Sequence, residues 1–323
     1  MTDQAWEMLS NQFVAVCGVL YFLALLSHLV EWASLRKLPA QETVSTGRTA
    51  MFGRLGLILT VLAALAHLVA LVARGLAADP DRVPWGNMYE FTLSGTFVVA
   101  AGYLLLLRRY RLAWMAPIVV AFVLATLMVA VIWLYDPVAP LTEALYSPWL
   151  VIHVVSAIIA TGAFTLAGIC SVLFLIKGRR EQRETGYLAR VPDLPTLDRV
   201  SYRLHAFGFP VWTFAVLITG PIWAHQAWSS YWNWDPKEVW AFITWVVYAA
   251  YLHARSTAGW KGRNAALLAL VGLATLWFNF IGINFFSSSS QHSYAGGEVS
   301  QVSQVSEVSE VSGAQRELPP VAR

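Results

Sequence analysis

Eight stretches of this sequence stay apolar for long enough to cross a bilayer, and that pattern leaves few folds open. They run over 13–31, 55–76, 91–107, 113–134, 149–176, 205–222, 239–254 and 264–286. In hydrocarbon every backbone amide must find its partner within the chain, so only helices or a closed barrel can span. Runs of this length without strict alternation read as helices. The composition agrees: 57% of residues are hydrophobic, 13% are charged, and the mean hydropathy is +0.56. The expected class is an all-α polytopic membrane protein with about eight transmembrane helices. No basic segment precedes the first run, which reads as a retained span rather than a cleaved signal peptide.

Basic residues give the orientation. The loops after the first, third, fifth and seventh runs hold 17 of the 22 Lys and Arg, among them Arg108, Arg109, Lys177, Arg190 and Lys261. The positive-inside rule then places both termini outside, together with the loop between the sixth and seventh runs. The net charge is only +3, and the basic residues sit in short loops, so nucleic-acid binding is not indicated and the lipid bilayer is the expected surround. Cys17 and Cys170 lie inside apolar runs and form no C-x-x-C, which leaves thiol redox chemistry to other proteins. With no phosphate-binding G-x-x-x-x-G-K-[ST] loop, ATP is not the direct energy source.

The outer loop 223–240, WAHQAWSSYWNWDPKEVW, carries Trp223, Trp228, Trp232, Trp234 and Trp240, with Tyr231 among them. Such rings anchor helices at a membrane interface, but a row of them also makes a platform for a large planar ligand. Both readings stand on composition alone. Asp235, Pro236 and Glu238 have the order of an N-cap, a first helical residue and a capping box, so a helix should start at Pro236. The alternative for the two carboxylates is a ligand-facing role. Three other outer segments surround this loop. Residues 79–90 include Trp85, Asn87 and Glu90, and residues 135–148 carry three prolines. The third is the C-terminal tail, a V-S-Q/V-S-E repeat from Val299 with too little bulk for a core, expected to be disordered.

The seven histidines sort by depth. His153 enters the fifth run from outside, about 6 Å down at 1.5 Å per residue, and His292 follows the eighth run on the same side. Two histidines beside an aromatic platform suit axial ligation of a haem iron, against the plainer reading of one interfacial and one tail histidine. His253 lies near the inner end of the seventh run, where an ionisable residue marks a ligand or a pathway. His28 lies at comparable depth in the first run and is its candidate companion. His67 sits mid-span, while His205 and His225 suit ordinary interfacial roles.

WSSYWNWDPKEVW resembles the WWD motif of haem-handling membrane proteins. Its surroundings are similar to the CcsA/ResC type (CcsB in some bacteria) of System II cytochrome c biogenesis proteins. The resemblance runs through VPWGNMYEF (83–91), SPWLVIHVVSAIIATGAF (147–164), SYRLHAFGFP (201–210), WAFITWVVYAAYLHAR (240–255) and NFIGINFF…HSYAGG (279–297), about two-thirds of the chain. It implies that His153 and His292 ligate haem b outside, that His253 is an intramembrane haem ligand, and that Trp228, Trp232, Trp234, Asp235 and Trp240 line the site. It further implies a separate ResB/CcsB-type membrane partner subunit supplying the second intramembrane ligand, thioredoxin-like reductants, and apocytochrome c as the acceptor. The bacterial plasma membrane is the implied location.

The expected organisation is a transmembrane haem-handling domain over 1–286, an external His-bearing segment over 287–298 and a low-complexity tail over 299–323. The expected function is delivery of haem to the outer face and its presentation for thioether attachment to an apocytochrome C-x-x-C-H, as the membrane subunit of a synthetase complex. A b-type haem electron carrier and a transporter without ligation activity are the alternatives. The carrier requires facing histidine pairs on neighbouring spans.

Overall fold

All eight apolar runs are helical in the computed structural model, which describes residues 1–35, 47–140, 146–179 and 187–287. His292 and the tail from Val299 lie outside the described residues. The chain forms α1 (Asp3–Leu35), α2 (Gly47–Leu76), α3 (Met88–Leu106) and α4 (Ala116–Trp133), the last entered through a 3-10 turn at Leu112–Met115. The long α5 (Pro148–Gly178) follows, then the short α6 (Tyr187–Arg190) and α7 (Leu194–Thr213). A π-helical stretch, Phe214–Thr219, carries α7 on into α8 (Gly220–Trp228). After the Trp-rich loop come α9 (Pro236–Ser256), α10 (Arg263–Trp277), a second π-helical stretch at Phe278–Gly282, and α11 (Ile283–Phe286).

Among the described residues, seven helices are long and apolar enough to cross a membrane, with Leu194–Trp228 taken as one. The protein is therefore an all-α multi-pass membrane protein. The helix covering 239–254 is α9, which is not among those seven. Its tryptophans and tyrosines, with Lys237 and Glu238 in the first turn, dilute its hydropathy, and α10 and α7 pack along it.

Local chemistry sets the helix starts. The Asn87 side chain caps α3 by accepting from the Glu90 N–H at 2.9 Å. Ser147 caps α5 ahead of Pro148, and Asp193 caps α7 ahead of Leu194 and Pro195. These are the side chains that satisfy otherwise orphaned N–H groups, with proline where no donor is needed.

The helices pack in two halves that share α5. One core joins α1 to α4, around Tyr21, Tyr103, Val123 and Leu127, with Leu166 and Cys170 from α5. The other joins α5 to the α7–α8 segment, α9 and α10, around Phe164, Trp212, Tyr248 and Leu276. Phe164 stacks on Tyr248 with ring centroids 3.9 Å apart.

At one end of the bundle a buried ion cluster ties the connecting segments together. The Arg74 Nε donates to Glu90 Oε1 at 3.0 Å and its NH1 to Glu7 Oε1 at 3.3 Å, while its NH2 donates to the Asp136 carbonyl. Glu90 also accepts from Arg82 NH1 at 2.6 Å and from the Gly86 N–H at 2.8 Å. Buried charges persist only when paired in this way. The cluster fixes the 82–90 segment, which presents Trp85 toward the second half of the bundle.

Candidate functional site

At the same end, a cavity opens between α5, the π-helical stretch Phe214–Thr219, α8, the Trp-rich loop, the start of α9 and the second π-helical stretch. It holds about 1190 Å³ of empty space, including its open mouth. Its walls include His153, Trp85, Trp212, Trp223, Tyr231, Trp232 and Phe280. An apolar, aromatic-walled space with a few polar groups is the usual form of a small-molecule site.

The geometry around His153 follows from Pro221. Proline has no N–H to donate and its ring crowds the preceding turn, and just ahead of it the helix widens to i→i+5 bonds. The Gly220 N–H accordingly bonds the Ala215 carbonyl. That carbonyl also takes the Thr219 hydroxyl at 3.1 Å and approaches His153 Nδ1 at 2.9 Å. A carbonyl can only accept, so His153 Nδ1 carries a proton, and in the neutral ring the lone pair is then on Nε2. This is the support that holds a ligating histidine in one tautomer and one orientation. The ring stacks at 14° against Trp223, with centroids 6.1 Å apart. Gly220 leaves it room: a Cβ there would sit 3.2 Å from the ring.

The loop residues divide. Trp232 and Tyr231 line the cavity with Trp223. Trp228 packs edge-on against Trp223 at 4.8 Å, one layer behind the wall. Trp234 adopts a left-handed backbone conformation, φ 56°, and is 75% exposed. Such a φ is uncommon for a bulky side chain and marks a constrained turn. Trp240 faces Phe278, with centroids 4.2 Å apart. Asp235 and Glu238 form the capping box: Asp235 accepts from the Lys237 N–H at 2.9 Å, and Glu238 accepts from the N–H groups of Asn233 and Asp235 at 2.9 and 3.2 Å. Their carboxylates serve the backbone.

His253 stands apart from the cavity, exposed in the last turn of α9, with its Nδ1 3.5 Å from Thr257 Oγ1. His28 is buried on α1, its Nδ1 3.5 Å from Glu31 Oε2. It lies against Gly56 of α2, where a Cβ would fall 2.6 Å from its ring. As α1 packs on α2 and α4 while α9 packs on α10 and α7, the two histidines belong to different halves. His67 sits edge-on to Tyr21 and Phe97, His205 Nδ1 donates to the Ser201 carbonyl at 2.8 Å, and His225 stacks on Tyr231.

Lys237, Asn279 and Phe280 are among the lining residues that went unread in the sequence as site residues, with Trp212. Lys237 Nζ donates to the Asn284 side-chain oxygen at 2.7 Å. Partly buried in the first turn of α9, its ammonium is pushed down to about 8 by burial, against the opposing pull of Asp235. The signal was a lysine set inside the capping motif D-P-K-E, where the cap accounts for its neighbours but not for it. Nothing in the apolar pattern announces either π-helical stretch.

Residues 85–290 match the family model described as Cytochrome C assembly protein. The chain is 32% identical over 304 residues to a cytochrome c biogenesis protein CcsA of Synechococcus sp. (strain JA-2-3B'a(2-13)), covering 76% of this chain and 86% of that one. It is 31% identical over 330 residues to the CcsA of Porphyra purpurea, covering 89% and 98%. Among solved structures it resembles a cytochrome c haem lyase CcmF with a TM-score of 0.63 at 18% identity, over 87% of this chain and 47% of that one. The fold is shared, and the chain spans about half the length of that lyase.

Proposed function

This chain belongs to the cytochrome c assembly protein family, and on that footing we propose that it brings haem to the outer face of the membrane and presents it for covalent attachment to apocytochrome c. Family membership gives it a role in cytochrome c biogenesis and haem handling, with haem and apocytochrome c as the molecules it meets. The finer reading is ours. Haem b is the substrate, His153 and His292 are its axial ligands outside, and His253 holds it within the membrane. Residues 1–286 form the haem-handling domain and 287–298 supply the second outer histidine. A ResB/CcsB-type subunit completes the membrane site, thioredoxin-like proteins deliver reduced thiols, and the bacterial plasma membrane is the setting. The 17-to-5 split of basic residues supports an outward-facing Trp-rich loop and outward termini.

One observation carries this reading: His153 reaches an aromatic-walled cavity with its Nδ1 bonded to the Ala215 carbonyl at 2.9 Å. That bond orients Nε2 as the ligand atom. Trp223, Trp232 and Trp85 supply apolar faces that exclude water from a planar ring. Trp234, exposed at the rim, is available to the incoming acceptor. Each thioether forms by adding a cysteine S–H across a vinyl double bond, sulfur to one carbon and hydrogen to the other, with no net redox change. The chain contributes position, axial ligation and a dry surface. The histidine of the acceptor C-x-x-C-H then displaces one axial ligand on release.

The electron-carrier alternative needs facing histidines, whereas His28, His67 and His205 pack on glycine, aromatic and hydroxyl-bearing neighbours. Replacing His153 by Gly tests the reading. Covalent cytochrome c should fall to background, and exogenous imidazole, which fits the vacated space with the same donor atom, should partly restore it. Imidazole should do nothing for Trp234→Ala, which removes a surface rather than a ligand. Unimpaired cytochrome c maturation in the glycine variant contradicts the assignment.

A further inference from the structure

Among the described residues that line the cavity Lys237 is the one lysine or arginine, and its position is specific. Lys237 enters from the first turn of α9, while Asn279 and Phe280 face the same space from the π-helical stretch after α10. Asn284, one turn beyond, is oriented by its own contacts: its Nδ2 donates to the Phe280 carbonyl and its oxygen accepts from Lys237 Nζ. Asn279 is 7% exposed, and the oxygen end of its amide finds no hydrogen-bond partner among the described residues. An amide end left unpaired in a buried, apolar wall is costly, and a half-turn of the amide sets its NH2 group there as a donor for an incoming acceptor. An ammonium offers three N–H donors and an amide two more, so together they suit an acceptor with several lone pairs. The other charged group on this wall, Glu238, is engaged with the backbone at Asn233 and Asp235.

We propose that Lys237, with the amide of Asn279, is the carboxylate-binding edge of the cavity: it takes the propionates of the haem substrate and so fixes which edge of the ring meets the acceptor. This rests on the haem-handling function proposed above and deepens it. Elsewhere the described wall is mostly aromatic and aliphatic, with Asn87, His153, Thr161 and Glu238 as its polar members, so a dianionic edge placed away from Lys237 would be buried without a cationic side chain beside it. In protoporphyrin the vinyl groups lie across the macrocycle from the propionates. Anchoring the acid edge at the start of α9 therefore turns the reactive vinyl edge away from it.

Metal-free protoporphyrin IX and its dimethyl ester separate this edge from iron ligation. Both are titrated by fluorescence into the full chain with its membrane partner in lipid nanodiscs of fixed composition. The wild type should bind the diacid more tightly than the ester, on the order of tenfold or more, as expected for a charge-assisted hydrogen bond. Lys237→Met should lose that preference with its ester affinity unchanged, which also shows the cavity to be intact, and Lys237→Arg should keep it. Asn279→Asp, which adds an anion to the same wall, should weaken the diacid alone. If the wild type and Lys237→Met discriminate equally, or if the wild type does not discriminate, the carboxylate edge is refuted while haem handling stands. If the wild type takes haem but neither metal-free porphyrin, the ring is held through its iron and the carboxylate edge is refuted; if it takes no haem either, the haem-handling reading falls, and this inference with it.

Discussion

At its first turn α9 delivers Lys237 into a cavity walled by α5, α8 and the Trp-rich loop; in its last turn the same helix carries His253 on an exposed face beside Thr257. The two positions are sixteen residues and about 24 Å apart along the axis. The upper position is enclosed by this chain's own elements, with a histidine held in one tautomer and aromatic faces to cover a ring. The lower offers one nitrogen on a convex surface. A ligand there needs a second donor and walls from another polypeptide, which is why the proposed membrane site includes a partner subunit. A site finished within one chain tolerates loss of a partner; a half-site does not.

The largest effect that sharpens this contrast is on ligands. His153→Gly should lower covalent cytochrome c by more than the roughly 10–100-fold that loss of a supporting group costs a metal site. His253→Ala should instead lower the haem recovered with the complex, measured by pyridine haemochrome assay, while cavity binding of added porphyrin stays at the wild-type level. Equal loss of porphyrin binding in both variants breaks the distinction between the two ends.

Next in size is the frame of the bundle end that holds the cavity. Glu90→Gln leaves Arg74 and Arg82 short of their shared carboxylate, and breaking such a buried pair costs about 3 kcal/mol or more. Thermal unfolding of the detergent-solubilised protein should show the loss. Because Glu90 fixes the segment carrying Trp85, porphyrin binding should fall as well. Gly220→Ala is milder: its methyl group would press on His153 and the Ala215 carbonyl, with an expected cost of about 1 kcal/mol and a modest drop in porphyrin affinity in the same titration. Smallest is His28→Ala. Its ring faces Gly56 and Glu31, away from both ends of α9, so cytochrome c maturation should be unchanged at matched expression. A loss there would bring α1 into the haem path.

What could be read from sequence follows the range of the interactions. The spans and the start of α9 were legible, because hydropathy and the D-P-x-E capping pattern act within a few residues. The seventh run is short and rich in Trp and Tyr, and its helix α9 is the one not apolar enough to count among the seven spans. His153 was legible as a depth and, through the resemblance, as a candidate ligand, but its orientation was not: the Ala215 carbonyl that bonds it lies 62 positions away. The π-helical stretches were hidden because an extra residue in a helical turn leaves an apolar run apolar. Lys237 was masked by its neighbours: a capping box explains Asp235 and Glu238 so well that the lysine between them reads as spacing. Of the five loop tryptophans, the sequence cannot say that Trp232 turns inward while Trp234 turns out, since that depends on the backbone conformation of the loop.

The most direct test is the visible spectrum of the purified complex loaded with haem, recorded for the wild type and for His153→Gly with and without imidazole. Ligation by His153 predicts that the glycine variant loses the low-spin bands of a haem with two nitrogen ligands and regains them on adding imidazole. A glycine variant whose Soret and α bands match the wild type without imidazole would contradict it, since the iron would then be held by other residues.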